Sequence, residues 1–262
     1  MTSFRQIGKR ILRMNNENKF KIEVTSTILH IFAMFCMLFD HMWITIVHGN
    51  DWLNCIGRLA FPIFAFMIVE GYKHTSDLKK YMGRMFVFAL ISEIPFNLVV
   101  SGSVIYPFHQ NVLWTFLIGI LCISLLEKSK KTGNLWIQTL TGISVIAAAY
   151  LIGIISMVDY NAAGVLTVLV FYFFNGDAWY HRLGQFVGLY YINFELLGGI
   201  YDVYKLFGYT FEFSRQGFAL LALIPIWLYN GKRGTCSKFF QYFNYVFYPL
   251  HLLILCLLSR IF

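Results

Sequence analysis

The sequence predicts an all-α protein that crosses a membrane about nine times, with its N-terminus in the cytoplasm. Three observations lead to this fold class. Of the 262 residues, only 13% are charged, whereas 58% are hydrophobic and 19% are aromatic. Soluble domains carry about 25% charged residues, so this deficit favours a polytopic membrane protein. The other two observations are a succession of long apolar stretches and the placement of basic residues between them.

The apolar stretches are roughly 16–24 residues long, which suits helices that cross a bilayer. The predicted spans lie near residues 27–47, 56–72, 85–101, 111–126, 135–156, 160–175, 183–198, 216–230 and 239–260. The sixth is short and the seventh is polar, so a re-entrant course remains open for both. The longest segment between spans, 198–216, is rich in aromatic residues. It is either an amphipathic segment at the membrane interface or a structured loop.

Lysine and arginine residues determine the predicted orientation. Most of the 21 basic residues lie in the N-terminal tail and in the loops after the second, fourth, sixth and eighth spans. Basic loops are cytoplasmic as a rule. We therefore expect a multi-pass protein of the plasma membrane, with the C-terminus and Cys55 outside and Cys236 inside. Residues 1–25 would form a basic cytoplasmic tail, and residues 26–262 would form one integral membrane domain.

The formal net charge of +8 has a simple explanation in this topology. The charge is distributed over alternate loops and is not concentrated on one surface, so we do not expect a nucleic-acid partner. The partner that the composition predicts is the lipid bilayer.

Ionisable side chains inside the predicted spans are the strongest indication of function, because lipid tolerates them only when they face a cavity. Asp40 and His41 lie in the outer half of the first span. Arg58 lies at a similar depth in the second span and is expected to pair with Asp40. Neutral imidazole is a suitable general base near neutral pH, which predicts acid–base chemistry at His41. A purely structural ion pair is the alternative for Asp40 and Arg58.

Further polar side chains of the later spans and loops are expected to reach the same region. They are Glu93, Asn97, His109, Asn111, Tyr248 and His251. We assign Glu93 to catalysis and the others to binding of the acceptor substrate. Structural alternatives remain open, since Glu93 would satisfy backbone groups freed by Pro95 and His251 would pack between helices. No metal is expected, because His41 and His48 are separated by a helical rise of about 10 Å.

Several sequence blocks resemble the TraX family. They are "LFDHMW" at 38–43, "IGRLAFPIFAFMIVEGYKHT" at 56–75 and "LKKYMGRMFVFALISEIPFNL" at 78–98. The block "FNYVFYPLHLLIL" at 243–255 is similar to the last span of that family and of other membrane acyltransferases. The resemblance is dense over residues 27–128 and returns over residues 239–256, whereas the middle of the chain matches only in hydropathy.

The resemblance implies acyl transfer from a cytosolic acyl-CoA, with acetyl-CoA as the expected donor, to an acceptor at the outer face. The named member of the family is the F-pilin acetylase of conjugative plasmids, which modifies the N-terminal amine of a pilin. A pilin-like amine, a peptide, a glycan and a lipid headgroup all remain open as acceptors, so either N- or O-acetylation is expected. His41 would be the general base, Asp40 would orient the site, and Arg58 or Asn111 would stabilise the oxyanion. Cations for the phosphates of coenzyme A would come from Lys73, Lys79, Lys80 and Arg84.

Two other functions are considered for these residues. A proton-coupled transporter would use Asp40, His41 and Glu93 as a relay, with helices broken at Pro62 and Pro95 around a central site. The sequence shows no inverted repeat that would favour this alternative. A non-catalytic membrane scaffold would leave the buried charges unexplained.

Overall fold

The computed structural model describes residues 23–206, 208–234 and 237–261, and these residues are mostly helical. The predicted tail over residues 1–25 therefore lies almost entirely outside the described residues, and so does Cys236. The first helices are α1 (Ser26–Thr45), α2 (Asp51–Gly57), α3 (Ala60–His74), α4 (Leu78–Ser101) and α5 (Val112–Lys130). They are followed by α6 (Leu135–Ile155), α7 (Asn161–Phe173), α8 (Trp179–Tyr190), α9 (Leu223–Trp227) and α10 (Lys238–Leu258).

Each predicted span coincides with helical structure, and the helical membrane character is confirmed. Five helical stretches in the described part of the chain are long and apolar enough to cross a bilayer: α1, α2 with α3, α4, α5 and α6. Shorter apolar helices occupy Asn161–Phe173, Arg215–Trp227 and Tyr242–Leu258. The seventh predicted span corresponds to α8, which continues as a π-helical turn over Tyr191–Leu196.

Local sequence signals explain the helix boundaries. The side chains that accept hydrogen bonds from backbone N–H groups at helix N-termini are Thr25, Asp77, Asn111, Asn134 and Ser237. Gly102 ends α4 in the left-handed conformation, with φ at 69°. The helix break that the transporter alternative places at Pro62 is not located at that residue. The chain breaks earlier, at Arg58 and Leu59, and Pro62 falls in the first turn of α3, where no helical hydrogen bond is lost.

The segment 198–216 departs from the all-α prediction. It contains an antiparallel hairpin of β1 (Tyr201–Leu206) and β2 (Tyr209–Ser214), followed by a 3₁₀ helix over Arg215–Ala222. Alternating aromatic residues favour strands over a helix here. Arg215 holds the base of the hairpin, because its guanidinium binds Asp202 and also lies 2.7 Å from Oδ1 of Asp51. The segment is therefore structured, and its position at a membrane interface stays a prediction.

Tight packing of α7 against its neighbours forms the centre of the bundle. The side chains of Val165, Val168 and Phe171 on this helix are fully buried. A Cβ at Gly119 of α5 would lie 2.8 Å from Val168, and a Cβ at Gly153 of α6 would lie 2.6 Å from the backbone of α7. Small residues at these positions let the helices approach closely, as is common for helices packed in membranes.

Contacts between loops divide the loops into two groups at opposite ends of the bundle. One group includes the contacts Val24–Tyr229, Lys73–Asn175 and Glu127–Tyr172. The other group includes Gln110–Val158 and Asp51–Arg215. Each of these contacts joins segments that are separated by an even number of predicted spans. Such pairing is expected when every predicted span runs from one end of the bundle to the other.

Candidate functional site

A small cavity of about 40 Å³ lies where α1, α3, α5 and α10 meet the turn before α7. The polar side chains that line it are Asp40, His41, Asp159, Tyr160 and Tyr248. Three phenylalanines, Phe61, Phe64 and Phe116, complete an apolar wall. A concave, largely apolar site with a few converging polar groups is typical of small-molecule binding and catalysis.

A ring-to-ring hydrogen bond joins two histidines that are 210 residues apart. Nδ1 of His41 lies 2.7 Å from Nε2 of His251, and the rings are nearly parallel, with centroids 4.9 Å apart. Nδ1 of His251 lies 2.7 Å from the carbonyl oxygen of Phe247. Because a carbonyl oxygen can only accept, the hydrogen of neutral His251 is on Nδ1 and its Nε2 accepts.

This assignment determines the tautomer of His41. His41 must donate from Nδ1 to the unprotonated Nε2 of His251, so Nε2 of His41 keeps a free lone pair. A histidine in this state is ready to take a proton. The arrangement resembles a catalytic triad, in which a second group fixes the tautomer and orientation of the base. Here the second group is an imidazole held by the backbone of α10.

The structure brings Asp40 and Arg58 together, as the sequence predicts. Nη2 of Arg58 donates to Oδ1 of Asp40, and Asn54 donates to the same oxygen over 2.8 Å. Nη1 of Arg58 lies 3.3 Å from Oε1 of Gln216. Asp40 lines the cavity whereas Arg58 does not, so Arg58 lies behind Asp40. The direct role of Arg58 at an oxyanion stays a prediction.

Gly57 makes this ion pair sterically possible. The backbone of Gly57 passes so close to Asp40 that a Cβ at position 57 would overlap both the Cβ and the carboxylate of Asp40. Only glycine allows α1 and α2 to approach at this point.

Glu93 belongs to a second polar cluster. Its Oε2 accepts from the side-chain amide of Asn111 and, over 3.0 Å, from Nε1 of Trp114. Asn111 also donates to the carbonyl of Ala89 and accepts at the N-terminus of α5, so its contacts hold α4 and α5 together. In the part of the chain that the structure describes, no hydrogen bond joins Glu93 to His41. The predicted roles of Glu93 and Asn111 in catalysis and binding stay untested.

The other predicted binding residues lie in α4, in the loop before α5 and on α10. Asn97 donates to the carbonyl of Val104 over 3.2 Å, at the end of α4. His109 lies 3.3 Å from the carboxylate of Asp159, which lines the cavity. Tyr248 lines the cavity itself and contacts His41 through its ring. The structure therefore places His109 and Tyr248 beside the site and Asn97 further from it.

The predicted cations for coenzyme A lie at the opposite end of the bundle. Lys73 lies in the last turn of α3, about 20 Å along the helix from the cavity wall at Ala60. Lys79, Lys80 and Arg84 lie in the first turns of α4, and Lys80 pairs with Asp77 over 3.3 Å. These residues are not brought to His41, so a donor bound by them would need a long extended arm.

Sequence reasoning missed Asp159 and Tyr160, which line the cavity from the turn between α6 and α7. Three non-glycine residues of this turn have positive φ: Met157, Tyr160 and Asn161. Backbone strain of this kind collects at functional sites. The available signal was the sequence Asp159–Tyr160–Asn161, whose polar residues favour a tight turn between two apolar stretches.

The comparison with protein families gives one match. The family described as "TraX protein" matches residues 25–259. The chain belongs to the TraX family. A curated relative from Dichelobacter nodosus, described as "Probable fimbrial assembly protein FimC, serogroup H1", is 26% identical to this TraX chain over 261 residues. The match covers 90% of this chain and 96% of that protein, and no solved structure matches.

The match extends the resemblance seen in the sequence. The match covers all of α1 to α10, including the middle of the chain, where the sequence resembles the family only in hydropathy. All five polar residues that line the cavity in this TraX protein fall within the matched residues.

Replacing Gly57 with alanine should destabilise the protein. The added methyl group would force Asp40 and α1 to move, and overpacking of this kind costs ~1–3 kcal/mol. Thermal unfolding of the purified protein in detergent measures the effect. Gly83→Ala is the matched control, because a Cβ at Gly83 of α4 meets no atom within 4 Å. Equal unfolding temperatures for the two variants would refute the proposed contact between Gly57 and Asp40.

The pKa of His109 should depend on Asp159. The hydrogen bond from the imidazole to this carboxylate raises the pKa of His109, while burial opposes the shift. The Asp159→Asn change should therefore lower this pKa. With the pKa raised in the folded state, the pair stabilises the fold below the ordinary histidine pKa and loses that effect as the pH rises through the raised value.

An NMR titration with histidine labelled in the ring measures the pKa directly, and the His109→Gln variant assigns the resonance. Asp177→Asn, a change of an exposed aspartate at the other end of the bundle, is the control. An identical His109 titration in Asp159→Asn and in the control would show that the hydrogen bond does not control the pKa.

Proposed function

We propose that this TraX-family protein is a membrane-embedded acyltransferase that moves an acyl group from acyl-CoA to an acceptor. Acetyl-CoA is the expected donor. The His41–His251 pair is the observation that carries the proposal. It leaves Nε2 of His41 unprotonated on a residue that lines the cavity. An amine or hydroxyl that attacks a thioester must lose a proton, and such a nitrogen accepts it.

The reaction follows from these groups in two steps. Nε2 of His41 takes the proton from the acceptor while the acceptor nitrogen or oxygen forms a bond to the thioester carbonyl carbon. The carbon–sulfur bond then breaks, and the leaving thiolate receives the proton from His41. Coenzyme A departs as a thiol, the acceptor carries the acyl group, and His41 returns to its starting state.

The negative charge that develops on the carbonyl oxygen needs donors inside the cavity. Tyr160 and Tyr248 both line the cavity wall. Each tyrosine hydroxyl has one hydrogen to donate. These residues are better placed for this role than Arg58 or Asn111, which the structure holds in other contacts.

His251 acts as a positioning residue in this mechanism and does not bind the acceptor. It accepts the Nδ1 hydrogen of His41 and so fixes which nitrogen faces the reaction. When His41 takes a proton, the hydrogen bond to His251 spreads the new positive charge over two rings. Asp40 compensates the positive charge of the nearby Arg58, which would otherwise oppose protonation of His41.

The orientation of the chain completes the proposal. Nine crossings with a cytoplasmic N-terminus explain both the basic loops and the loop contacts that join only segments an even number of spans apart. In this arrangement the protein lies in the plasma membrane. Its cavity lies toward the outer face, and Lys73 lies at the cytoplasmic end.

A pilin-like subunit is the acceptor that the comparisons favour. The Dichelobacter nodosus relative is described as a fimbrial assembly protein. An outward cavity would meet such a subunit at the outer face. The transporter alternative has less support, since Glu93 is held by Asn111 and Trp114 and shares no described hydrogen bond with the His41 pair.

Changes at His41 should strongly slow transfer without preventing donor binding. His41→Ala and His41→Gln should each lower the transfer rate by roughly 10²–10⁴-fold, because neither side chain accepts the proton. His251→Ala should also slow transfer, since His41 would no longer be held in one tautomer. Transfer of radiolabelled acetyl groups from acetyl-CoA to membrane extract measures the rate, and binding of acetyl-CoA is measured in parallel.

The control is His30→Gln, which changes a histidine of α1 that donates to the carbonyl of Ser26 away from the cavity. This variant should transfer as the wild type does. Wild-type rates in both His41 variants would remove His41 as the base. A wild-type protein that transfers nothing but shows pH-dependent solute uptake would support the transporter.

The orientation is tested by cysteine labelling in intact cells. Single cysteines at Ser103 and Glu212 should react with an impermeant maleimide, whereas those at Ser76 and Asp177 should react only after lysis. All four positions are exposed: Glu212 lies in the hairpin and the other three lie in loops. Labelling at Asp177 and Glu212 tests whether the shorter helices α7 and α8 each cross the membrane. Labelling of Asp177→Cys in intact cells would overturn the nine-span arrangement.

A further inference from the structure

A second cavity lies at the end of the bundle that carries Lys73 and Asn175. It has a volume of about 260 Å³ and lies between α3, the turn after α7, α8, α9 and the chain that follows α9. A cavity of about 150 Å³ already holds a benzene molecule, so this one has room for a small organic ligand. It shares no lining residue with the cavity of the histidine pair, and the mechanism above does not use it.

Three aromatic side chains, Phe66, Trp227 and Tyr229, form the apolar part of its wall. Phe66 and Tyr229 meet edge to face with centroids 5.6 Å apart, and Nε1 of Trp227 donates to Gln185 over 2.7 Å, which fixes the indole ring. The faces of such rings attract cations. The chain already uses this property, since the guanidinium of Arg182 lies 5.9 Å from the ring centre of Trp227 without lining the cavity.

The amide side chains of the wall are already occupied. Asn175, Gln185 and Asn230 are each hydrogen-bonded through both the oxygen and the nitrogen of the amide. The polar side-chain groups that remain in the wall are the carboxylates of Glu70 and Asp177 and the hydroxyl of Tyr229. Because ionised carboxylates only accept hydrogen bonds, the wall is suited to a ligand that donates hydrogen bonds or carries positive charge.

The carboxylate of Glu70 has little compensation for its charge. Its side chain is only 13% exposed, and within the described part of the chain its one ion-pair contact is with the exposed ring of His74, at 3.9 Å. Lys73 binds the other end of the same Asn175 amide and does not line the cavity. Asp177 adds a second carboxylate at the exposed rim. A partly buried carboxylate in this state favours the entry of a cation.

We propose that the second cavity binds an organic ammonium ion. The positive charge lies near the carboxylates of Glu70 and Asp177, and the carbon groups pack against the three aromatic rings. Anions are disfavoured, since none of the described lining residues is cationic. The inference is independent of acyl transfer. Such an ion comes from one of two sources, which are a soluble amine at this end of the bundle and the headgroup of a neighbouring lipid.

Direct binding of choline to the purified full chain in a maltoside detergent tests the proposal, with calorimetry as the measurement. The neutral alcohol 3,3-dimethylbutan-1-ol has the same shape without the charge, so it should bind at least on the order of tenfold more weakly. Glu70→Gln keeps the size of the side chain but removes its charge, and should weaken choline binding on the order of tenfold.

Two changes at Trp227 test the aromatic wall. Trp227→Leu should weaken choline binding, whereas Trp227→Phe, which keeps a ring, should restore most of the affinity. Glu212→Gln is the control for the carboxylate change, because it removes one exposed carboxylate from the hairpin, outside the cavity. Its affinity for choline should equal that of the wild type.

Lipid nanodiscs distinguish the two sources of the ion. Weaker choline binding in phosphatidylethanolamine than in phosphatidylglycerol would identify a lipid headgroup as the occupant, and equal binding would identify a soluble amine. Both results support the site. Equal affinities for choline and its neutral counterpart would overturn it, and so would equal choline affinities in Glu70→Gln, Trp227→Leu and the control. A wild-type protein that binds no choline in detergent or in either nanodisc would also overturn it.

Discussion

The buried ion pair between Asp40 and Arg58 is the constraint on which the arrangement of the site depends. Two charges inside an apolar bundle are tolerated only when each is paired and further hydrogen-bonded. Asn54 and Gln216 supply these hydrogen bonds, and Gln216 also donates to Asn193 over 2.9 Å. The pair therefore joins α1, the break between α2 and α3, the 3₁₀ helix and the π-helical turn after α8. His41 follows Asp40 directly, so its position depends on the same network.

Much of this could be predicted from the sequence, because lipid imposes strong local rules. Apolar length located the helices, and the rarity of charges in such segments singled out Asp40, His41 and Arg58. Depth along two antiparallel spans was enough to pair Asp40 with Arg58. The TraX resemblance came from blocks in the first half of the chain, and the family match confirms it over residues 25–259.

The rest depended on which helices are neighbours, and this is not contained in a local pattern. The pairing of His41 with His251 joins the first and last helices, and the place of Asp159 in the cavity depends on a strained turn between two apolar stretches. The hairpin was missed as secondary structure because aromatic residues suit both a strand and a membrane interface. Depth alone also placed Lys73 with Lys79 and Lys80, although a different surface surrounds each of them.

The carbonyl of Phe247 that holds His251 has an evolutionary consequence. Because the acceptor is a backbone atom, no single side-chain replacement removes it while α10 stays helical. The helical backbone of α10 thus determines which nitrogen of His251 is protonated. The side chain at position 247 has a different contact, since its ring stacks on His251 with centroids 4.8 Å apart, but the hydrogen bond itself does not depend on that ring. In enzymes whose histidine is oriented by a carboxylate, one substitution of that carboxylate removes the group that selects the protonated nitrogen.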